Sequence, residues 1–205
     1  MSDQRSALAL LALVIAGACG LLGACGGGAV HYDYKSEPDP RKTEYVIGVS
    51  DRLAIRVWKN PDLSGDVVVR PDGTITLPLL GDMNALALTP TQLKENIQKN
   101  LMNYIRDENA VVTVAVTGIN SYSVTVSGNV EHPGVFKSEK YLTVTDAVQL
   151  AGGLNRYASG DQAKIFRTAK DGKIRTIPVN VEAVQAGKQP EANLALVTGD
   201  QLYVP

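Results

Sequence analysis

Glycine and proline punctuation constrains this chain more than any other feature. Pro71-Asp72-Gly73, Pro133-Gly134, Gly152-Gly153, Asp171-Gly172 and Gly199-Asp200 cut the region after residue 42 into pieces short enough for strands and brief helices. One piece, Thr89 to Asp107, is long enough for a helix of several turns. From Arg52 to Trp58 the residues alternate, with Leu53, Ile55 and Val57 on one side and Ala54, Arg56 and Trp58 on the other, which is the period of a strand. Asp66–Val69 and Thr74–Leu79 flank Pro71-Asp72-Gly73, where proline fixes φ and glycine accepts a positive φ, so the two flanks are expected to pair as a hairpin. Leu93, Ile97, Leu101 and Ile105 then fall at helical spacing, behind Thr89 as cap, Pro90 at the first helical position and Gln92 completing a capping box. Burying those side chains contributes roughly 6 to 12 kcal/mol before entropy is subtracted. The β-branched run Val111–Thr117 is expected as a strand beneath the helix. This gives a first α+β unit over 43–119.

A second unit, over 120–205, opens with the alternating stretch Ser121–Ser127 and turns at Pro133-Gly134. Leu142–Ala151 is expected as a short helix closed by Gly152-Gly153, whose glycines can take the positive φ of a C-cap. Ala163–Thr168 and Lys173–Val179 flank Asp171-Gly172 as a second hairpin, and Gln201–Val204 after Gly199-Asp200 is a last strand. A small sheet crossed by one helix suggests a β-grasp arrangement.

The N-terminus is an address. Ala7 to Ala24 carries no charge, is rich in Ala and Gly and ends in small residues, which suits residues 1–24 as an export signal better than as a span. Its end, Leu22-Gly23-Ala24-Cys25, resembles the lipobox of bacterial lipoproteins, which implies acylation of Cys25 with fatty chains such as palmitate and cleavage just before it. Acylation at Cys19, and ordinary cleavage after Ala18 or Ala24, are the alternatives. If Cys25 is the first mature residue, no other cysteine remains and the fold cannot depend on an internal disulfide. Residues 25–42, with Gly26-Gly27-Gly28 and then Pro38 and Pro40, show no hydrophobic period and read as a flexible tether.

The inventory of reactive side chains is small. Lys+Arg 20 against Asp+Glu 21 leaves a formal charge of −1, without the basic excess that gathers phosphates, so nucleic acid is not expected as a partner. Two His and two Cys leave little from which to build a metal site or a nucleophile–imidazole pair, and no cofactor is expected. Asp51, Asp66, Asp72 and Asp82 are the candidates for paired-carboxylate glycan cleavage. Against that, Asp72 and Asp171 are turn residues, and Asp51 and Asp200 lie where loops enter strands and a carboxylate can accept backbone N–H groups. His132 before Pro133 reads as a turn residue. Trp58 and Tyr203 could stack on sugars, but a lone aromatic at a strand end is more often partly buried packing.

Taken in order, Tyr45-Val46-Ile47-Gly48-Val49-Ser50-Asp51, Val57-Trp58, Arg70-Pro71-Asp72-Gly73 and Leu77-Pro78-Leu79-Leu80-Gly81 resemble the polysaccharide-export domain of the outer-membrane polysaccharide export family. Val126-Ser127-Gly128-Asn129-Val130, Pro133-Gly134, Ala151-Gly152-Gly153-Leu154, Arg167 and Gly199-Asp200-Gln201-Leu202-Tyr203-Val204-Pro205 resemble a soluble-ligand-binding β-grasp (SLBB) domain. Ser50 departs from the glycine usual before the Asp. The resemblance implies an α+β chain with one domain of each kind. Long members add another β-grasp repeat and a C-terminal pore helix, whereas this sequence ends at Pro205 without a C-terminal transmembrane helix and resembles the short members. It further implies a non-enzymatic protein, lipid-anchored through Cys25 at the outer membrane and facing the periplasm. A homo-oligomeric ring would conduct exopolysaccharide or capsular polysaccharide from an inner-membrane copolymerase, with a separate outer-membrane pore protein completing the passage. A monomeric lipid-anchored glycan- or partner-binding adaptor is the alternative. Gly48, Asp51, Arg70, Pro71, Asp72, Gly73, Pro133, Gly134, Gly152, Gly153, Gly199 and Asp200 are the motif residues.

Overall fold

The alternation of Arg52–Val57 becomes strand β1, the middle of a 3-stranded antiparallel sheet in the order β2-β1-β5, with β2 at Gly65–Val68 and β5 at Val112–Gly118. This is a computed structural model, and it describes residues 32–104, 111–169 and 171–205. The signal run, Cys19, Cys25, the first part of the tether, Ile105 and Asp107 lie outside the described residues. Leu53, Ile55 and Val57 are buried, and Arg52 and Arg56 are exposed. Helix α1 (Pro90–Leu101) starts at Thr89, whose side chain accepts from Gln92 N while the Gln92 side chain accepts from Thr89 N. Its Leu93, Ile97 and Leu101 join Ile47, Val69, Ile75, Leu77 and Val112 in one apolar core, at about 1.5–3 kcal/mol for each large side chain removed from water.

The hairpin expected across Pro71-Asp72-Gly73 does not form as a ladder. The turn is present, with Gly73 N donating to Arg70 O at 2.9 Å and Gly73 at φ 83°. Beyond it, β3 (Thr74–Leu77) pairs with β4 (Gly81–Asn84) in a separate 2-stranded sheet. At the turn the flanks are joined by Arg70 N donating to Thr74 O at 2.9 Å. Strand β2, at the edge of its sheet, pairs with β1, a pairing prolonged where Val69 N donates to Asp51 O and Ser50 N donates to Val69 O. Gly73 O meanwhile accepts from Ala85 N and Leu86 N, which folds the end of β4 back over the turn.

The second core is built on a 5-stranded mixed sheet, order β7-β6-β10-β8-β9. Its strands are β6 (Ser123–Gly128), β7 (Gly134–Lys137), β8 (Ala163–Thr168), β9 (Ile174–Val179) and β10 (Gln201–Val204). The last strand enters the middle, parallel to β6 and antiparallel to β8. Asp171-Gly172 joins β8 to β9 as a hairpin, with Gly172 at φ 79°. Pro178 is tolerated because β9 is an edge strand. Helix α2 (Val144–Leu150), capped by the Thr143–Asp146 box, buries Val144, Ala147 and Val148 against Val124, Ile165 and Leu202. A further short helix, α3 (Val181–Gln185), buries Val181 and Val184 in the same core. Among the described residues no helix is long and apolar enough to cross a membrane.

Over 32–42 the structure departs from a flexible tether. Tyr32 and Tyr34 pack against the second core, the Tyr34 hydroxyl donates to Pro178 O at 3.0 Å, and Glu37 is buried. The polar composition that suggested a tether instead supplies a carboxylate to arginines far along the chain.

Candidate functional site

Asp51 sits where the loop Gly48-Val49-Ser50 enters β1, and it is fully buried. Ser50 holds φ 71°, the left-handed conformation for which glycine is the usual choice, and so turns the carboxylate inward. One carboxylate oxygen accepts from Asn120 N and Ser121 N, each at 2.9 Å. The other accepts from Gly48 N at 2.8 Å, from the Ser121 hydroxyl at 3.0 Å and from the Tyr45 hydroxyl. Burial by itself raises the Asp51 carboxyl, but these hydrogen bonds outweigh it and hold the group below the ordinary carboxylate range. Burial, with the bond to Asp51, pushes the Tyr45 phenol well above its usual value. A Cβ on Gly48 would collide with the Ser121 side chain, so glycine is required there for close approach.

This carboxylate ties the start of β1 to the segment Asn120–Ser121 between β5 and β6, and so joins the two sheets. Beside it lies a cleft of about 530 Å³ lined by Tyr45, Gly48, Leu86, Tyr122, Tyr141 and Thr198, among others. Tyr122 anchors one wall by donating to Leu196 O and accepting from Leu142 N.

The Arg70-Pro71-Asp72-Gly73 turn carries an exposed polar cluster. Arg70 bridges Asp72 at 2.7 Å and Asp82 at 3.0 Å, and the Thr74 and Thr76 hydroxyls donate to the same two carboxylates. Hydrogen bonds from Thr74, then the Arg70 charge, lower the Asp72 carboxyl; Thr76 and then Arg70 do the same for Asp82. Both acids are thereby held as anions. Asp66 is ion-paired to Arg56 at 2.7 Å on the sheet surface. The candidate acids thus serve as hydrogen-bond acceptors and ion-pair partners.

In the second sheet, Gly152 and Gly153 stand at φ 81° and 94° and close α2, with Gly153 N donating to Val148 O. His132 N donates to Ala151 O and Glu131 N to Gly153 O, so the loop before Pro133 is stitched to this cap and His132 belongs to a turn. Gly134 opens β7, with open space where a Cβ would stand. Gly199 at φ 83° precedes Asp200, a buried carboxylate that accepts from Arg167 at 2.6 Å and from Val197 N at 2.9 Å. Arg167 also reaches Glu37 at 3.2 Å, and Glu37 accepts from Arg175 at 2.6 Å. Tyr203 is 38% exposed and leans on Phe166, with ring centroids 6.3 Å apart.

The structure therefore groups Gly48 with Asp51, the Arg70–Gly73 turn with Asp82, Gly152-Gly153 with Glu131-His132, and Asp200 with Arg167. These groups do not converge on one pocket. Sequence reasoning passed over Tyr45, Ser121, Glu37 and Arg175 as partners, because no local signal ties any of them to the group it meets. Among the described residues no group of three or more His, Cys, Asp or Glu is arranged to hold a metal ion.

Comparison with known proteins matches each of the two cores to a family. The family described as polysaccharide biosynthesis/export protein matches residues 39–117, and the SLBB domain family matches residues 123–178. The exopolysaccharide production protein ExoF of Rhizobium meliloti (strain 1021) is 33% identical over 134 residues, 60% of this chain. The aligned region spans 31% of that relative's length. The first match contains Asp51, the Arg70–Gly73 turn and α1, and the second contains β6 to β9, so each family falls on one of the two cores. The chain thus carries one polysaccharide biosynthesis/export domain followed by one SLBB domain, and the matches together support a protein of polysaccharide export.

Proposed function

We propose that this protein is a subunit of an export conduit that carries exopolysaccharide or capsular polysaccharide across the periplasm. It would be anchored to the outer membrane through acylated Cys25 and assembled as a homo-oligomeric ring. The observation that carries this reading is the ordered succession of the two matched domains, each with its own buried core. The Asp51 carboxylate supports it, because a ring closes only if each subunit holds its two domains at a fixed angle. An inner-membrane copolymerase would feed the polymer, and a separate outer-membrane pore protein would receive it.

The test has two parts. Deletion of the gene is expected to abolish secretion of the polymer while its synthesis continues, and the wild-type gene to restore it. Native mass spectrometry of protein extracted from outer membranes in mild detergent is expected to give a closed assembly of several triacylated subunits. Cys25→Ser is expected to leave the protein unacylated and out of that fraction. A lipidated monomer would instead favour the adaptor reading, and an unmodified Cys25 in the wild type would refute the anchor.

A further inference from the structure

Trp58 follows directly after β1, and its side chain stays in water at 67% exposure. The packing role expected of a lone aromatic at a strand end is thus not what the structure shows. An indole left largely in solvent forgoes most of its apolar burial, yet the loop that presents it is tightly fixed. Trp58 N donates to Val111 O at 2.9 Å, Asn60 N to Val57 O at 3.0 Å, and Asn60 Nδ2 to Trp58 O at 3.0 Å. The Ser64 hydroxyl accepts from Val57 N at 2.9 Å and donates to Asn60 O at 3.1 Å. Lys59, between Trp58 and Asn60, is held at φ 60°, a conformation that costs a lysine energy and persists only because the surrounding bonds enforce it. An exposed aromatic on a rigid, strained loop is a prepared surface.

What surrounds the indole indicates the ligand. A groove of about 400 Å³ runs past it, lined by Arg56, Asn60, Pro61, Val111 and Thr113 together with Trp58 itself. A pyranose ring presents C–H groups on its faces and hydroxyls around its edge, and so needs a flat aromatic bordered by donors and acceptors. Trp58 supplies the flat face. The Arg56 guanidinium, oriented by Asp66 and by Ile55 O, supplies donors. The Thr113 hydroxyl supplies either, and Asn60, whose Nδ2 is engaged by Trp58 O, keeps its Oδ1 as an acceptor. We propose that this groove is a saccharide-binding subsite in which Trp58 stacks on a sugar ring of the exported polymer while Arg56, Asn60 and Thr113 bond its hydroxyls. The proposal rests on the export reading. It suits a shallow open groove, since a conduit must hold its cargo weakly enough to release it.

Trp58 is the only tryptophan in the chain, so its fluorescence reports on this site alone. The probe is the exopolysaccharide secreted by the source strain, cut by mild acid to oligosaccharides and titrated into the purified lipoprotein in detergent. A saturable change in emission is expected. Calorimetry is expected to show binding weakened about five- to tenfold in Trp58→Ala and less in Trp58→Phe, with the thermal unfolding of both unchanged because the side chain is exposed. In the deletion strain, Trp58→Ala is expected to restore secretion several-fold less than wild type. No emission change, or equal affinity of wild type and Trp58→Ala, would overturn the subsite. So would an emission change that follows protein concentration and not sugar, since the indole would then be covered by a second copy. The binding measurements do not depend on secretion, so a wild-type gene that fails to restore export refutes the conduit reading separately.

Discussion

Replacing Asp51 by Asn is the sharpest test of how the two sheets are joined. An amide has one acceptor oxygen, whereas both carboxylate oxygens are used. If the new NH₂ takes the side facing Asn120 N and Ser121 N, it meets two backbone donors. If it takes the other side, the Tyr45 and Ser121 hydroxyls can rotate to accept, but Gly48 N–H is left facing a donor. The second arrangement is the cheaper. It strands one buried donor, at about 1–3 kcal/mol, and removes the charge that strengthened the remaining bonds, for about 2–4 kcal/mol in all. Guanidinium unfolding at neutral pH reads this as a lower midpoint. The pH dependence supplies an independent sign. Because the folded carboxyl lies below its ordinary value, its stabilisation is present above the unfolded pKa of about 3.9 and is lost as pH falls through the folded value. The gap between wild type and Asp51→Asn is therefore expected to narrow in acid. Equal stabilities at neutral pH, or a gap constant down to strongly acidic pH, would refute the reasoning.

Other perturbations separate local from global effects. Asp200→Asn leaves buried Arg167 with a poorer partner and is expected to destabilise the second sheet by about 3–5 kcal/mol, read by thermal or chemical unfolding. Glu37→Gln keeps the Arg167–Asp200 pair, so it is expected to loosen 32–42, seen as faster limited proteolysis there, with little change in global unfolding. Gly152→Val places a β-branched side chain at φ 81°, with its Cβ 3.0 Å from Glu131 Cβ and His132 Cδ2; a loss of at least about 2 kcal/mol is expected in denaturant unfolding. Ser50→Gly relieves a left-handed serine at some cost in chain entropy, and a net gain of about 0.5 kcal/mol is expected in the same assay.

Whatever was local in sequence could be read from it. The Thr89–Gln92 box, the Gly152-Gly153 cap and the Asp171-Gly172 hairpin each involve residues within a few positions of one another, and their side-chain chemistry leaves few alternatives. Pro71-Asp72-Gly73 marks the limit of such reading. The turn is local, but its flanks enter different sheets, β2 beside β1 and β3 beside β4, and neither pairing is written near the turn. The buried carboxylates lie further beyond it. Asp51 and its Asn120–Ser121 donors are 69 and 70 positions apart, and Glu37 and Arg167 are 130 apart. A carboxylate entering a strand announces that it will accept backbone N–H groups without naming which ones. Glu37 lacked even that signal, because proline and charge around it are what a solvated linker also shows. Only the partners tell them apart. A linker glutamate has water around it, whereas Glu37 is buried against Arg167, an arginine that Asp200 by itself would leave with an unpaired nitrogen in an apolar core. Segment 32–42 thus completes the hydrogen bonding of Arg167, and a chain cut after residue 42 is expected to keep the neutral Arg167–Asp200 pair while Arg167 Nη1 loses the carboxylate it donates to.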